Sequence, residues 1–329
     1  MIRKCSSGLL RLLSHARKSF EAYDVPESIN RHCSTSSKDL FTLQLKKFEN
    51  EKVSEAVSSL ELFFAHVLGK DKLSDVRSEI KNELKLNSDQ IEMIESMCDC
   101  RLSKMPTQYI LKEWDFNDLR LKMKIPVFIP RPETEELVNI ITQELDSSKE
   151  YKILEVGCGT GCISLSLLRF MPNVKQIIAI DQSKTACELT KENSLNLELS
   201  NRLKVFNYKL KDDSLPEEIS QNGPFDVIVS NPPYVPSKDL LRLAPEIFLY
   251  EDIRALDGGP EGLNIIQLLL EISSKYLSKN GNLWMEVDHR HPEIIEKLVE
   301  NNRDEWNLKF IASRKDLFKK ERFVNIKKL

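Results

Sequence analysis

The sequence predicts an α/β fold: a doubly wound, mostly parallel sheet preceded by a small all-α domain. Three observations carry that expectation. After Glu150, seven short apolar runs alternate with helical stretches, the pattern of a sheet covered on both faces. From about Lys38 to Lys104, apolar residues recur at helical spacing instead. Gly157, Gly159 and Gly161, three of only ten glycines in the chain, cluster between a strand-like run and a helix-like one.

Taken in order, residues 1–37 read as a mitochondrial transit peptide. Arg3, Lys4, Arg11, Arg17 and Lys18 are basic, and no acidic residue precedes Glu21. Leu9, Leu10, Leu12 and Leu13 can share one side of a helix, while Arg11 interrupts the continuous apolar core that a secretory signal needs. The matrix is then the expected compartment, with Ser34 to Ser37 as the loose junction before a mature start. Residues 38–105 are expected to form a helical domain, with Leu60, Phe63, Phe64, Val67 and Leu68, then Ile91, Met93, Ile94 and Met97, facing its core. Gly69 is its single glycine, and Asn87-Ser88-Asp89 is a helix-starting sequence. Pro106 ends this part. Across 106–130, Tyr109, Ile110, Trp114, Phe116, Leu119, Leu121 and Met123 alternate with polar residues around Asn117-Asp118, which predicts a β-hairpin linker. Residues 131–329 hold the sheet. A helix opens at Thr134-Glu135-Glu136, and strands are expected over 152–156, 176–180, 203–206, 225–230, 282–287, 308–311 and 323–326.

Composition narrows the functions open to such a chain of 329 residues. Its 48 basic and 51 acidic side chains give a net charge of −3, a poor footprint for an autonomous nucleic-acid binder. No apolar run is long enough to suggest a membrane span. The seven cysteines offer only Cys98-x-Cys100 and Cys158-x3-Cys162 as close pairs, with no histidine nearby, so neither a zinc site nor a disulfide framework is expected. His289 and His291 read as surface loop residues without chemistry.

Two motifs carry chemistry. In Gly157-Cys158-Gly159-Thr160-Gly161, the glycines let backbone approach a ligand, and the following helix offers free N–H donors. Asp181 ends the next strand, twenty residues beyond Gly161, where an acid can accept both hydroxyls of a ribose. A dinucleotide fingerprint would want glycine at 162, where Cys162 stands; G-x-G-x-G is more typical of adenosylmethionine sites. The second motif, Asn231-Pro232-Pro233-Tyr234, directly follows the strand at 225–230. An amide nitrogen is a weak nucleophile because its lone pair is delocalised into the carbonyl. Pinning both of its N–H hydrogens against acceptors would aim it at a methyl carbon. The Asn231 side-chain oxygen and the Pro232 carbonyl can be those acceptors, and Tyr234 offers a flat face to the planar amide.

From about Met105 onward the chain resembles the HemK/PrmC family, the peptide chain release factor glutamine methyltransferases. The resemblance rests on Pro106–Ile110, Ile129–Glu135, the glycine loop, Asn231–Tyr234, Ala255–Gly259, Leu283–Val287 and Glu321–Val324. It implies a Rossmann-like class I methyltransferase domain with S-adenosylmethionine as cofactor. The target would be the side-chain nitrogen of the glutamine in a release factor's Gly-Gly-Gln loop, gripped partly by the helical domain. It also implies that Gly157, Cys158, Gly159, Thr160 and Gly161 cradle the methionine end of the cofactor and that Asp181 holds the ribose. Asn231, Pro232, Pro233 and Tyr234 would be the catalytic segment, with Asn231 also near the cofactor, and Arg131–Thr134 would lie close by. One departure stands out: Lys209 sits where many relatives carry an acid for the adenine amino group, which leaves Asn207, Asp212, Asp213 or a backbone carbonyl to serve.

Two other functions fit some of these features. A nucleic-acid methyltransferase acting on adenine N6 or cytosine N4 can use the same Asn-Pro-Pro-Tyr logic, against the mildly acidic charge and the lack of an evident domain for a flipped base. A binding scaffold that has lost activity would not need the intact Asn231 and glycine loop. A monomer without stably bound nucleic acid is expected.

Overall fold

The computed structural model describes residues 35–329, so the expected transit segment falls almost wholly outside the described residues. Four helices come first: α1 (Ser37–Asn50), α2 (Ala56–Leu68), α3 (Leu73–Lys81) and α4 (Ser88–Leu102). Their ends are locally encoded. Ser36 caps α1 by accepting from the Asp39 N–H, and Gly69 ends α2 in the left-handed region. Asn87 and Gln90 form a reciprocal capping box at α4. Leu40, Phe48, Leu60, Phe63, Phe64, Val76 and Ile94 are at most 2% exposed and form the core, with Phe41 set edge-on to Phe64. Met93 is half exposed, because successive helical residues point about 100° apart and Ile94 takes the inward position.

The linker differs in part from its expectation. Tyr109 and Ile110 lie on a one-turn helix, α5 (Thr107–Leu111), rather than on a strand. Pro106 precedes that turn, where a missing N–H costs nothing, and the buried Tyr109 donates its hydroxyl to the Val127 carbonyl at 2.7 Å. The hairpin follows as β1 (Glu113–Phe116) and β2 (Leu119–Lys122). Asn117 and Asp118 join them, both at positive φ, as a tight two-residue hairpin turn requires. Helix α6 (Pro132–Glu144) starts with proline in its first turn.

The remaining elements build the seven-stranded sheet. They are β3 (Tyr151–Val156), α7 (Cys162–Phe170), β4 (Val174–Asp181), α8 (Lys184–Asn196), β5 (Leu203–Asn207), α9 (Glu217–Ser220), β6 (Phe225–Ser230), α10 (Pro245–Tyr250), α11 (Asn264–Tyr276), β7 (Leu277–Glu286), α12 (Pro292–Asn301), α13 (Arg303–Trp306), β8 (Leu308–Lys315) and β9 (Glu321–Lys328). Strand order is β5-β4-β3-β6-β7-β9-β8, parallel except where β9 pairs with β7 and β8. Alternate side chains feed two cores. Ile153, Ile177 and Val227 pack with Leu137, Ile141 and Leu165 of α6 and α7. Leu154, Ile178 and Ile228 pack with Ile266, Leu269 and Ile295 of α11 and α12.

Chain order reverses between β3 and β6, which makes a crevice at the carboxyl ends of these strands. Their register pairs Val156 with Ser230, so the glycine loop and the Asn231 loop leave the sheet side by side. The helical part is joined to the sheet part through α10. Buried Arg101 donates to Glu246 Oε1 at 3.3 Å and to Ser54 Oγ at 2.8 Å, and the Tyr250 hydroxyl donates to the Ser103 carbonyl at 2.9 Å.

Candidate active site

A cavity of about 1220 Å³, open mouth included, lies over that crevice and gathers both motifs. Gly157, Cys158, Gly159, Thr160, Asp181, Asn231, Pro232, Pro233 and Tyr234 all line it. Gly161 does not line it and serves the turn itself. At φ +84°, a Cβ there would meet Leu165 and Thr190 side chains at 3.0 Å. Gly157 is held at φ +82°, a conformation that favours glycine, with the Asn231 carbonyl close beside it.

Asp181 is locked by backbone donors. Its Oδ2 accepts from the Gly159 N–H at 3.0 Å and its Oδ1 from the Ser183 N–H at 2.8 Å. Burial pushes its carboxyl above the ordinary range, against the pull of those two N–H groups. A carboxylate has about four lone-pair sites, so two hydroxyls of a ribose can still donate to it. Glu155 Oε1 and Thr160 Oγ1 also belong to cavity-lining residues, are buried and have no hydrogen-bond partner. Burial lifts the Glu155 carboxyl to about 8 despite bonds from the Ser164 side chain and backbone. Orphaned oxygens beside a glycine loop with an acid at the next strand end suit a polar, cationic nucleoside, and S-adenosylmethionine fits that description. Burial also raises the Cys162 thiol, and the buried Cys158 thiol, hydrogen-bonded with Cys187, is raised as well, which keeps both protonated. No cluster of three or more metal-ligating side chains occurs among the described residues.

The side chains expected near the adenine have partners within the protein. Tyr208, Lys209 and Leu210 line the cavity, whereas Asp212 accepts from Ser214 and Asp213 pairs with Lys275. Asn207 donates to the Asp181 carbonyl at 2.9 Å. Those three side chains therefore have other partners.

On the acceptor side, Asn231 Nδ2 donates to Thr134 Oγ1 at 3.0 Å, and Thr134 donates to Glu286 Oε2 at 2.8 Å. The Tyr234 hydroxyl donates to Glu286 Oε1 at 3.1 Å and receives a long bond from Arg322, at 3.4 Å. Arg322 is held in turn by Asp316 at 2.9 Å. Burial pushes Glu286 up to about 6, with Thr134, Tyr234 and Arg322 opposing the rise. Burial likewise raises the Tyr234 phenol. The segment after the motif is clamped by Ala255–Gly259: Val235 N–H donates to the Leu256 carbonyl and Gly258 N–H to the Val235 carbonyl, both at 2.9 Å. Arg131 turns away from the cavity toward Glu251 at 2.5 Å and stacks over Phe128, while Phe128, Pro130 and Thr134 face the cavity.

Sequence reasoning gave no role to Thr134, Glu286 or Arg322, although each lies in a segment quoted for the resemblance. The available signal was a single acid, Glu286, ending an apolar strand. His291 is corrected: it is 2% exposed, not a surface residue. Its Nε2 lies 3.1 Å from the Glu261 carbonyl and its ring backs Gly262, and burial lowers its basicity.

Both parts of the chain are similar to known proteins. Residues 133–259 match the Methyltransferase small domain and residues 40–111 the PrmC N-terminal domain. The human MTRF1L release factor glutamine methyltransferase is 41% identical over 288 residues, covering 85% of this chain and 84% of that one. The release factor glutamine methyltransferase of Clostridium botulinum is 31% identical over 268 residues, covering 82% and 90% of the two chains. That of Thermodesulfovibrio yellowstonii is 33% identical over 252 residues, covering 75% and 85%. Identity of this extent, over most of both partners in each alignment, means that the chain belongs to the release factor glutamine methyltransferase family.

Proposed function

We propose that the protein methylates the side-chain amide nitrogen of the glutamine in the Gly-Gly-Gln loop of a peptide chain release factor, using S-adenosylmethionine, and that it works in the mitochondrial matrix. The observation that carries this is the single cavity shared by the nucleoside crevice and the Asn231 loop. Family membership supports the reaction, and the acid-free, arginine-bearing first twenty residues support the compartment.

Gly157–Thr160 and Asp181 hold the cofactor, which supplies an electrophilic methyl group, while Gly161 shapes the turn beneath them. Asn231 Oδ1 has no partner among the described residues and accepts one N–H of the glutamine amide, while the Pro232 carbonyl accepts the other. Tyr234, fixed through its hydroxyl, packs against the amide plane. Holding the amide this way lowers the barrier through orientation, an effect worth up to about 7–11 kcal/mol for well-aligned reactants. As the nitrogen–methyl bond forms, the methyl–sulfur bond would break and the neutral thioether would leave with the spent cofactor; the nitrogen, cationic only then, would release its proton to solvent, so no general base is needed at the start.

The test is methylation of a recombinant mitochondrial release factor, read by tandem mass spectrometry, with RNA and DNA as parallel acceptors. One added methyl on the loop glutamine is expected. Transfer to nucleic acid with an unmodified glutamine would replace this reading with the adenine or cytosine one.

A further inference from the structure

An asparagine amide has two ends of similar shape and opposite polarity, and only the oxygen end can accept from a substrate N–H. The bonds behind the cavity wall fix which end is presented. Arg322 can only donate, so the Tyr234 hydroxyl accepts from it and directs its own proton to Glu286 Oε1. Ionised Glu286 can only accept, so the Thr134 hydroxyl gives its single proton to Oε2. The Thr134 oxygen is then left as an acceptor, and its neighbour is Asn231 Nδ2. Glu286 and Thr134 are each 1% exposed, so water has little access to scramble this order. Glu286 itself does not line the cavity.

From this geometry we infer that Glu286 is a positioning residue which, through Thr134, holds Asn231 with its oxygen toward the acceptor and so makes the site select a carboxamide over a carboxylate. The inference rests on the functional reading above and deepens it. An Asn231 turned over would present N–H groups, which would favour a glutamate side chain and hold a glutamine by the wrong atom. The charged or titratable groups facing Glu286 are Glu133 of α6, Tyr234 of the loop after β6, Arg322 of β9 and Cys162 of α7. Glu286 titrates near 6. Below that pH it carries a proton and becomes a donor, and the order of the bonds is lost.

The experiment uses the full chain and a release factor carrying either Gly-Gly-Gln or, as a competitive ligand, Gly-Gly-Glu. Wild-type transfer to the glutamine tests the functional reading, and the variants test the inference. Thr134→Val keeps the shape and removes the hydroxyl. Its kcat is expected to fall about 100-fold, the scale of a small misplacement of reacting groups, with adenosylmethionine binding and Tm near wild type. Its preference for Gly-Gly-Gln over Gly-Gly-Glu in binding is expected to narrow about tenfold, the weight of one neutral hydrogen bond. Thr134→Ser restores the hydroxyl and should bring kcat back to within about threefold of wild type, while the acid limb near pH 6 in the wild-type kcat profile should vanish in Glu286→Gln. An active wild type combined with an unchanged Gln/Glu preference in Thr134→Val, or an acid limb that persists in Glu286→Gln, would overturn the inference.

Discussion

At the scale of single residues, the two ligands can be separated by mutation. Asn231→Ala would remove the acceptor proposed for the substrate amide while leaving Asp181 and the glycine loop in place. Transfer should fall below detection, while isothermal titration shows adenosylmethionine affinity within about threefold of wild type, since no charge-assisted bond to the cofactor is lost. Asp181→Ala should do the reverse and weaken cofactor affinity by about 1.5–3 kcal/mol, the range for lost hydrogen bonds to a charged group. Unchanged affinity in that titration would remove Asp181 from the ribose site. Both positions stand out in the sequence because each lies at the carboxyl end of an apolar strand, Asp181 closing β4 and Asn231 directly following β6. The Thr134–Glu286–Tyr234–Arg322 chain was not legible as a unit. Its members come from four elements, and bonds such as Thr134 to Glu286 span 152 positions, so nothing local marks them as partners. His291 was misread for a related reason: its burial is set by Gly262 and the Glu261 carbonyl, about thirty positions away.

Among elements, the strands and helices of the sheet were readable because their periodicity is repeated many times, and only their ends shifted. Strand β7, for example, begins at Leu277 rather than near Asn282, since Gly281 and Asn280 hid its continuity. The linker helix α5 is the clearest departure: five residues are too few to establish a helical period, and Tyr109 is placed by its bond to Val127 rather than by propensity. The loops after β6 pack backbone against backbone, which gives another test. A Cβ at Gly262 would come within 2.2 Å of the Tyr234 carbonyl and 2.9 Å of the His291 ring, at φ +77°. Gly262→Ala should therefore cost about 1–3 kcal/mol in urea unfolding, as overpacked sites do. It should also lower kcat, because the displaced atom belongs to Tyr234. Unfolding at the wild-type midpoint would show that this loop yields more easily than its packing implies.

Across the whole molecule, the helical part and the sheet part meet through Arg101 and α10, and α10 continues into Glu251, which grips Arg131 and the Ile129 N–H beside the cavity. Arg101→Met keeps most of the apolar stem while leaving Glu246 without its cation. A loss of about 1–3 kcal/mol is expected, between the values for exposed and fully buried pairs. KM for the protein substrate should rise while adenosylmethionine affinity holds, since the cofactor side of the crevice is built from β3 and β4. Steady-state kinetics against release factor concentration checks the first and titration the second; an unaltered KM would mean that the helices do not depend on this anchor for their orientation.

The pairing of Val156 with Ser230 has a consequence for anyone wishing to retarget the catalyst. If the glycine loop holds the methyl donor and the Asn231 loop its recipient, the gap between them follows from one rung of backbone, which no surface exchange disturbs. Replacing the helices or the hairpin with a foreign recognition module would change which macromolecule is delivered and leave the transfer distance as it was. Inserting a single residue into either strand, by contrast, would turn the side chains beyond it to the opposite face and break the pairing at this rung, and transfer should be lost without altering any residue proposed to perform it.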